Sequence, residues 1–312
     1  GVRNFTRPYD RPSLELFDRH CVAVIDRLDL ASRHVQARAE RIELKAESAL
    51  VRTSTGGEIE ARHVALALGA PESPVWPDWA RGLASEAPGR VDHLFDPGFE
   101  LAAEPDWEHV LLVGAGISGV QAALRLATGR RRVTLTSRHP LRIAQFDSDP
   151  GWLGPLRMER FARQRDWSAR REMIRTARHR GSIPPEIHLA LRIALAEGRI
   201  ELAVAEVLGA EEVGSFARVH TERDSFDVDH VLLATGFSTA RPGGDLVDDL
   251  VDAYALPCAD CGYPVVDRAL RWHPRLFVAG PLAELELGPV SRNLSGARRA
   301  GDRIVEYSRR AA

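Results

Sequence analysis

The chain has 312 residues, 44% of them hydrophobic and 28% charged, with a formal net charge of −2 at pH 7. That length suits about two domains with cores of their own, and the near-neutral balance points to no nucleic acid and no acidic membrane surface as partner. No apolar run approaches the roughly 20 residues of a membrane span, no basic-then-apolar leader opens the sequence, and three cysteines (Cys21, Cys258, Cys261) are too few for a disulfide framework, so a cytoplasmic protein is expected.

In chain order, Ser13 is placed to cap an amphipathic helix whose apolar residues Leu14, Phe17, Cys21, Val24, Ile25 and Leu28 recur at helical spacing. Val35 to Leu44 and Ala49 to Thr53, followed by a turn at Gly56-Gly57, read as a β-meander. His63-Val64-Ala65-Leu66-Ala67-Leu68-Gly69 reads as an apolar strand ending in a glycine turn. Pro71, Pro74, Pro77, Pro88, Pro97 and Pro105 then punctuate a connecting region.

The most informative stretch follows. Val110-Leu111-Leu112-Val113 is a short apolar strand, Gly114-Ala115-Gly116-Ile117-Ser118-Gly119 a glycine turn, and Val120 to Leu126 the body of a helix, with a second strand at Arg132 to Thr136. This is the β-α-β setting in which a G-x-G-x-x-G pattern signifies a dinucleotide site. Gly114 makes the tight turn, Gly116 lets a pyrophosphate approach the backbone, and Gly119 lets helix and strand pack closely. The helix N-terminus offers N–H groups and a positive dipole end to the phosphates. An NAD site carries an acid about 20 residues on. Here the second strand ends Thr136-Ser137-Arg138 and no acid stands between Gly119 and Gln145, a pattern that suits the 2′-phosphate of NADPH better than NADH.

Ile200 to Leu208, Phe216 to Thr221 and Phe226 onward read as a second meander. It leads into His230-Val231-Leu232-Leu233-Ala234-Thr235-Gly236, which matches the strand at His63 to Gly69. The spacing from Gly114 to His230, counted back from His63, places a first G-x-G-x-x-G about fifty residues before Gly1.

These residues resemble the two-dinucleotide-binding-domain flavoproteins, nearest to the FAD/NAD(P)-binding group related to lysine and ornithine N-hydroxylases and flavin monooxygenases. The glycine turn is similar to the G-x-G-x-S-G form that such monooxygenases use for NADPH. Ala234-Thr235-Gly236-Phe237 resembles their A-T-G motif, Asn293-Leu294-Ser295 the start of their final helix, and Gly280-Pro281 the segment after their last strand, with proline where related reductases carry aspartate. Phe146 to Pro155 and Ala177 to Ser182 resemble segments of bacterial members of the group. The resemblance implies an α/β fold of two Rossmann-like domains with β-meanders, the NADPH domain inserted in an FAD domain whose phosphate loop is missing. Residues 1–97 and 241–312 are expected as the two parts of the FAD-type domain, and 98–240 as the NAD(P)-binding domain. It also implies FAD and NADP as cofactors and Ala234, Thr235, Gly236, Gly280, Pro281, Asn293, Leu294 and Ser295 as residues near them. The implied activity is that of an oxidoreductase in which NADPH reduces FAD and a peroxyflavin hydroxylates a small nucleophilic substrate. Two alternatives stand beside it: a pyridine-nucleotide reductase with another acceptor, and an NADP(H)-binding module without flavin activity. No catalytic side chain, metal site or oligomeric state is named.

Other constellations read as structure. Asp147 and Asp149 belong to Asp-Pro-Gly turn chemistry. His63 and His230 open equivalent strands, and His179 is the histidine best placed in sequence for a ligand. Arg178 and Arg180 read as a solvated helix end. Cys258-Ala259-Asp260-Cys261 invites a redox-dithiol reading, but one C-x-x-C does not make a zinc site and its place after the A-T-G strand favours a loop turn. From Pro289 or Ser291 a helix is expected to about Tyr307, with Gly296, Ala297, Ala300 and Gly301 keeping one face small.

Overall fold

The computed structural model describes residues 5–6, 11–69, 74–101, 107–127 and 131–310, so the prolines at 71 and 105 lie outside the described residues. The chain divides into two compact units, Gly1–Glu43 with Leu50–Glu60 and Leu44–Ala49 with Ala61–Ala312. In the first, Ser13 caps the helix Leu14–Arg27 as expected, its hydroxyl accepting the Leu16 N–H at 3.2 Å. The meander Ala39–Leu44, Ala49–Thr53, Glu58–Ala61 follows in that order. Its first strand starts at Ala39 rather than Val35, because Ala31–Arg33 closes a 3-10 turn and the chain is irregular up to Arg38.

The second unit is built on a five-stranded sheet in the order Ile200–Val204, Arg132–Ser137, His109–Val113, His230–Leu233, Val91–His93, parallel throughout. The apolar runs explain it, since strands of a parallel sheet are buried on both faces. Along His109–Val113 the side chains alternate. Val110 and Leu112 join a core with Val120, Leu126, Leu191 and Ala194 from the helices Ile117–Leu126 and Pro185–Ala196. Leu111 points the other way, into a core with Ala217 and Val219 of the meander and Ala80 and Leu83 of the helix Asp78–Glu86. The expected strand Ile200 to Leu208 is two strands. Ile200–Val204 is the edge of the parallel sheet, while Val207–Val213 turns away to pair antiparallel with Phe216–Thr221, which pairs in turn with Ser225–Val228.

The other copy of the repeat, Val64–Leu66, lies parallel to Leu276–Val278, which is antiparallel to Arg271–His273. After it come the short helical turns Gly280–Ala283, Glu284–Leu287 and Pro289–Arg292, then the helix Leu294–Arg310. The final helix therefore begins later than expected. Gly288 at φ 74° and an extended Asn293 confine Pro289–Arg292 to a separate 3-10 turn. The α/β class with a parallel sheet stands, and no described helix is long and apolar enough to cross a membrane.

His230 opens its strand fully buried. Its ring stacks on Trp107 with centroids 3.8 Å apart and planes 6° apart, and Nδ1 lies 3.1 Å from the Gly89 carbonyl. Burial pushes its pKa down to about 4. A histidine neutral in the folded state but ordinary when unfolded costs stability as pH falls, because only the unfolded chain takes up the proton. The loss runs from about pH 6.5 toward pH 4 and amounts to about 3 kcal/mol at its limit. Urea unfolding at pH 7 and pH 4.5 should show a steeper loss of stability in the wild type than in His230→Asn; equal losses would contradict a neutral buried imidazole.

Candidate functional site

At the carboxyl end of His109–Val113 the three glycines of the turn have different surroundings. Gly114 takes φ 114°, and its N–H donates to the Thr136 carbonyl at 3.0 Å. A Cβ on Gly114 would lie 2.5 Å from the Ala234 carbonyl oxygen, and one on Gly119 would lie 1.9 Å from the Gly114 oxygen and 3.0 Å from the Ala234 Cβ. These two glycines are required by the protein's own packing. Gly116 differs, since a Cβ there would meet nothing nearer than the Gly181 Cα at 3.6 Å. It is extended at the N-terminus of Ile117–Leu126, whose first-turn N–H groups have no acceptor within their own helix. The dipole end adds partial positive charge there. Ala115 is buried and Ile117 exposed, while Ser118 lines a groove of about 310 Å³ with Phe95, Phe99 and Arg125.

On the next strand, Ser137 is buried and its hydroxyl donates to the His139 carbonyl at 2.7 Å, whereas Arg138 is exposed and makes no hydrogen bond or ion pair with a described residue. Gly181, at φ 68°, belongs to a segment pinned by the bridge of Arg178 to Ser148 and by the His179 N–H, which donates to the Asp147 carbonyl at 2.7 Å. The His179 ring is held locally too, with Nδ1 3.1 Å from the Phe146 carbonyl. Burial, then the nearby charge of Arg292, hold the Arg178 pKa below its ordinary value, so this arginine is not the solvated helix end that its sequence suggests. Asp149 does make the expected turn, accepting the Gly151 N–H at 2.7 Å.

The Ala234-Thr235-Gly236 segment meets the glycine turn directly. The Ala234 N–H donates to the Val113 carbonyl at 2.8 Å, and the connecting segment is laid along the next residues. Thr235 donates its hydroxyl to the Val75 carbonyl, and the Val75 N–H donates to the Gly236 carbonyl at 2.9 Å. The structure thus gathers Gly114, Gly116, Gly119 and Ala234 into one place. Gly280, Pro281, Asn293, Leu294 and Ser295 form a second neighbourhood around Glu284–Leu287. There Gly280 takes φ 60° with open space beside it, Pro281 is buried, Leu294 is exposed and Ser295 half-buried. Asn293 caps the final helix, its Oδ1 accepting the Gly296 N–H at 3.1 Å.

Sequence reasoning missed a charge cluster in that neighbourhood. Glu284, 1% exposed, accepts from Arg292 Nε at 2.7 Å and from Arg171. Arg292 also donates to the Tyr263 hydroxyl at 3.0 Å, and the Arg171 guanidinium lies 3.7 Å over the Tyr263 ring. Two residues on, Glu286 accepts from Arg170 at 3.0 Å and from Arg303 at 3.1 Å. Burial is the largest single influence on Arg292 and opposes its charge, but the hydrogen bonds and charges of Glu284 and Tyr263 together outweigh it, and the net pKa shift is upward. The one signal in the sequence was Glu-Leu-Glu-Leu inside an otherwise apolar stretch.

No family model and no curated protein matches the chain. Solved structures do. An ornithine N-hydroxylase of Kutzneria sp. 744, in a form with reduced FAD, NADP+ and L-ornithine, is 20% identical with a TM-score of 0.74, over 96% of this chain and 78% of that one. An L-lysine 6-monooxygenase of Pseudomonas syringae is 20% identical with a TM-score of 0.69, over 97% of this chain and 78% of the other. The bacillithiol disulfide reductase of Bacillus cereus is 17% identical with a TM-score of 0.62, over 100% and 82%. The likeness shows that this chain has the fold of these flavoprotein oxidoreductases.

The glycine surroundings set a stability order. Gly114→Ala and Gly119→Ala should each cost more than about 2 kcal/mol in urea unfolding, from positive φ in the first and backbone overlap in both. Gly116→Ala should stay within about 0.5 kcal/mol of wild type. A large loss at Gly116 would mean that the contact with Gly181 does not leave room for a methyl group.

Proposed function

We propose that Gly114–Gly119 binds NADP(H) and that the chain is the nucleotide-binding body of an NADPH-dependent flavoprotein oxidoreductase, one that hydroxylates a small nucleophilic substrate. The observation that carries the nucleotide assignment is the contrast among the glycines: the Cβ positions of two are filled by neighbouring backbone, while the one at the helix N-terminus has room for a Cβ, its nearest neighbour the Gly181 Cα at 3.6 Å. A pyrophosphate laid over Gly116 takes hydrogen bonds from the first-turn N–H groups at the positive end of the helix. Arg138, exposed at the end of the adjacent strand, supplies a guanidinium for a 2′-phosphate, and no carboxylate stands there to hold a free 2′-hydroxyl. Under this reading 98–240 is the NAD(P)-binding domain, with 1–97 and 241–312 the two parts of an FAD-type domain.

The likeness to N-hydroxylating monooxygenases supports the hydroxylase reading over a reductase with another acceptor. Flavin, when bound, supplies the electron-accepting ring. The described residues contain one strand–glycine turn–helix unit, and its features fit NADP(H). The chain's own part is to fix the dinucleotide at the carboxyl ends of the parallel strands and to hold it by its phosphates.

Titration calorimetry tests the assignment. NADPH should bind the wild type, and Arg138→Ala should weaken NADPH by about 10- to 100-fold while changing NADH by less than about threefold. Equal losses for the two nucleotides would remove the 2′-phosphate role, and no NADPH binding by the wild type would overturn the proposal. Consumption of NADPH and oxygen with a primary amine, yielding a hydroxylamine, would be the hydroxylase outcome; turnover of a disulfide instead would establish the reductase.

A further inference from the structure

We propose that Cys258 and Cys261 form a reversible dithiol site, closed to a disulfide by a hydroperoxide, with Cys261 as the attacking thiol and Cys258 as the resolving one. The pair sits on a pinned hairpin. The Val265 N–H donates to the Pro257 carbonyl at 2.9 Å, and Cys258 bridges Pro264 in antiparallel fashion. The Ala259 N–H donates to the Tyr263 carbonyl at 3.0 Å, and the Gly262 N–H donates back to Ala259 at 2.7 Å with Gly262 at φ 77°, which closes a tight turn between the two cysteines. Buried Tyr263 anchors the base of the hairpin through its hydroxyl, which donates to the Ala240 carbonyl at 3.0 Å. These bonds fix the backbone from Cys258 through the turn that contains Cys261.

The two sulfurs differ in access. Cys261 is exposed, whereas Cys258 is partly buried. Burial raises the Cys258 thiol above its ordinary value, against the lowering effect of Arg241. Arg241 donates to Cys258 Sγ at 3.6 Å and holds that sulfur in place, while Cys261 is left open to a small oxidant. Cys21 lies in the other compact unit, which contains no second cysteine, and is an internal control. Among the described residues no group of three histidine, cysteine or acidic side chains could hold a metal, so the pair is read as a dithiol.

The chemistry balances with hydrogen peroxide as the oxidant. The Cys261 thiolate attacks one peroxide oxygen, the O–O bond breaks, and a sulfenic acid and hydroxide form. The Cys258 thiol gives its proton to that hydroxide, its sulfur attacks the Cys261 sulfur, and the second hydroxide leaves, to be protonated by solvent. In sum, two thiols and one peroxide give one disulfide and two waters, with two electrons passing from the sulfurs to the oxygens.

The test uses the full chain, stoichiometric hydrogen peroxide, alkylation by N-ethylmaleimide and peptide mapping by mass spectrometry. One alkylated cysteine, Cys21, is expected after peroxide, with a Cys258–Cys261 disulfide that dithiothreitol reverses to three alkylated sites. In Cys258→Ser, a dimedone adduct should accumulate on Cys261 about tenfold faster than on Cys21. In Cys261→Ser, no adduct should form on Cys258 at the same dose. Three alkylated cysteines after peroxide, a disulfide that includes Cys21, or a dimedone adduct on Cys258 in Cys261→Ser would each overturn the proposal. The disulfide map needs no substitution, so a variant that fails to fold does not shield it.

Discussion

The backbone contact among Gly114, Gly119 and Ala234 is the constraint from which the site follows. The turn after one central strand, the first helical turn and the end of the neighbouring strand come so close that no side chain fits between them. The two strand ends consequently lie side by side, and the helix N-terminus is aimed at the space above them. In open parallel sheets that crevice is where ligands bind. Gly116, alone of the three, has room for a Cβ, with the Gly181 Cα its nearest neighbour at 3.6 Å.

Two kinds of interaction hold the second unit. The parallel sheet is secured by apolar burial on both faces, with Val110 and Leu112 serving one core and Leu111 the other. The segment Glu284–Arg292 is held instead by buried charge, in which one carboxylate gathers Arg171 and Arg292 around Tyr263. Such a network fixes geometry more than it adds net stability, because burying the ions costs about as much as their attraction returns. Its consequence is positional: it sets where Asn293 starts the final helix.

Much of this was legible in the sequence because it is local. The glycine spacing, the apolar runs around it and the repeat of His63 to Gly69 at His230 to Gly236 determine strand, turn and helix over a few residues each. Where the sequence misled, a non-local partner decided the outcome. Ile200 to Leu208 reads as one strand, yet pairing with Arg132–Ser137 claims its first half and the meander its second. The charge cluster joins residues 113 and 8 positions apart, and arginines scattered through the whole chain conceal which of them matter.

The central claim is that an anionic nucleotide lies over Gly116 and reaches Arg138. Amide hydrogen exchange, measured with and without saturating NADP+, tests it most directly. The account predicts slowed exchange in Ala115 to Val120 and in Ser137 to Leu141, with Glu284 to Asn293 unchanged. Unchanged exchange at Ala115 to Val120 in a sample shown to hold the nucleotide, or protection confined to the Glu284 to Asn293 segment, would contradict it.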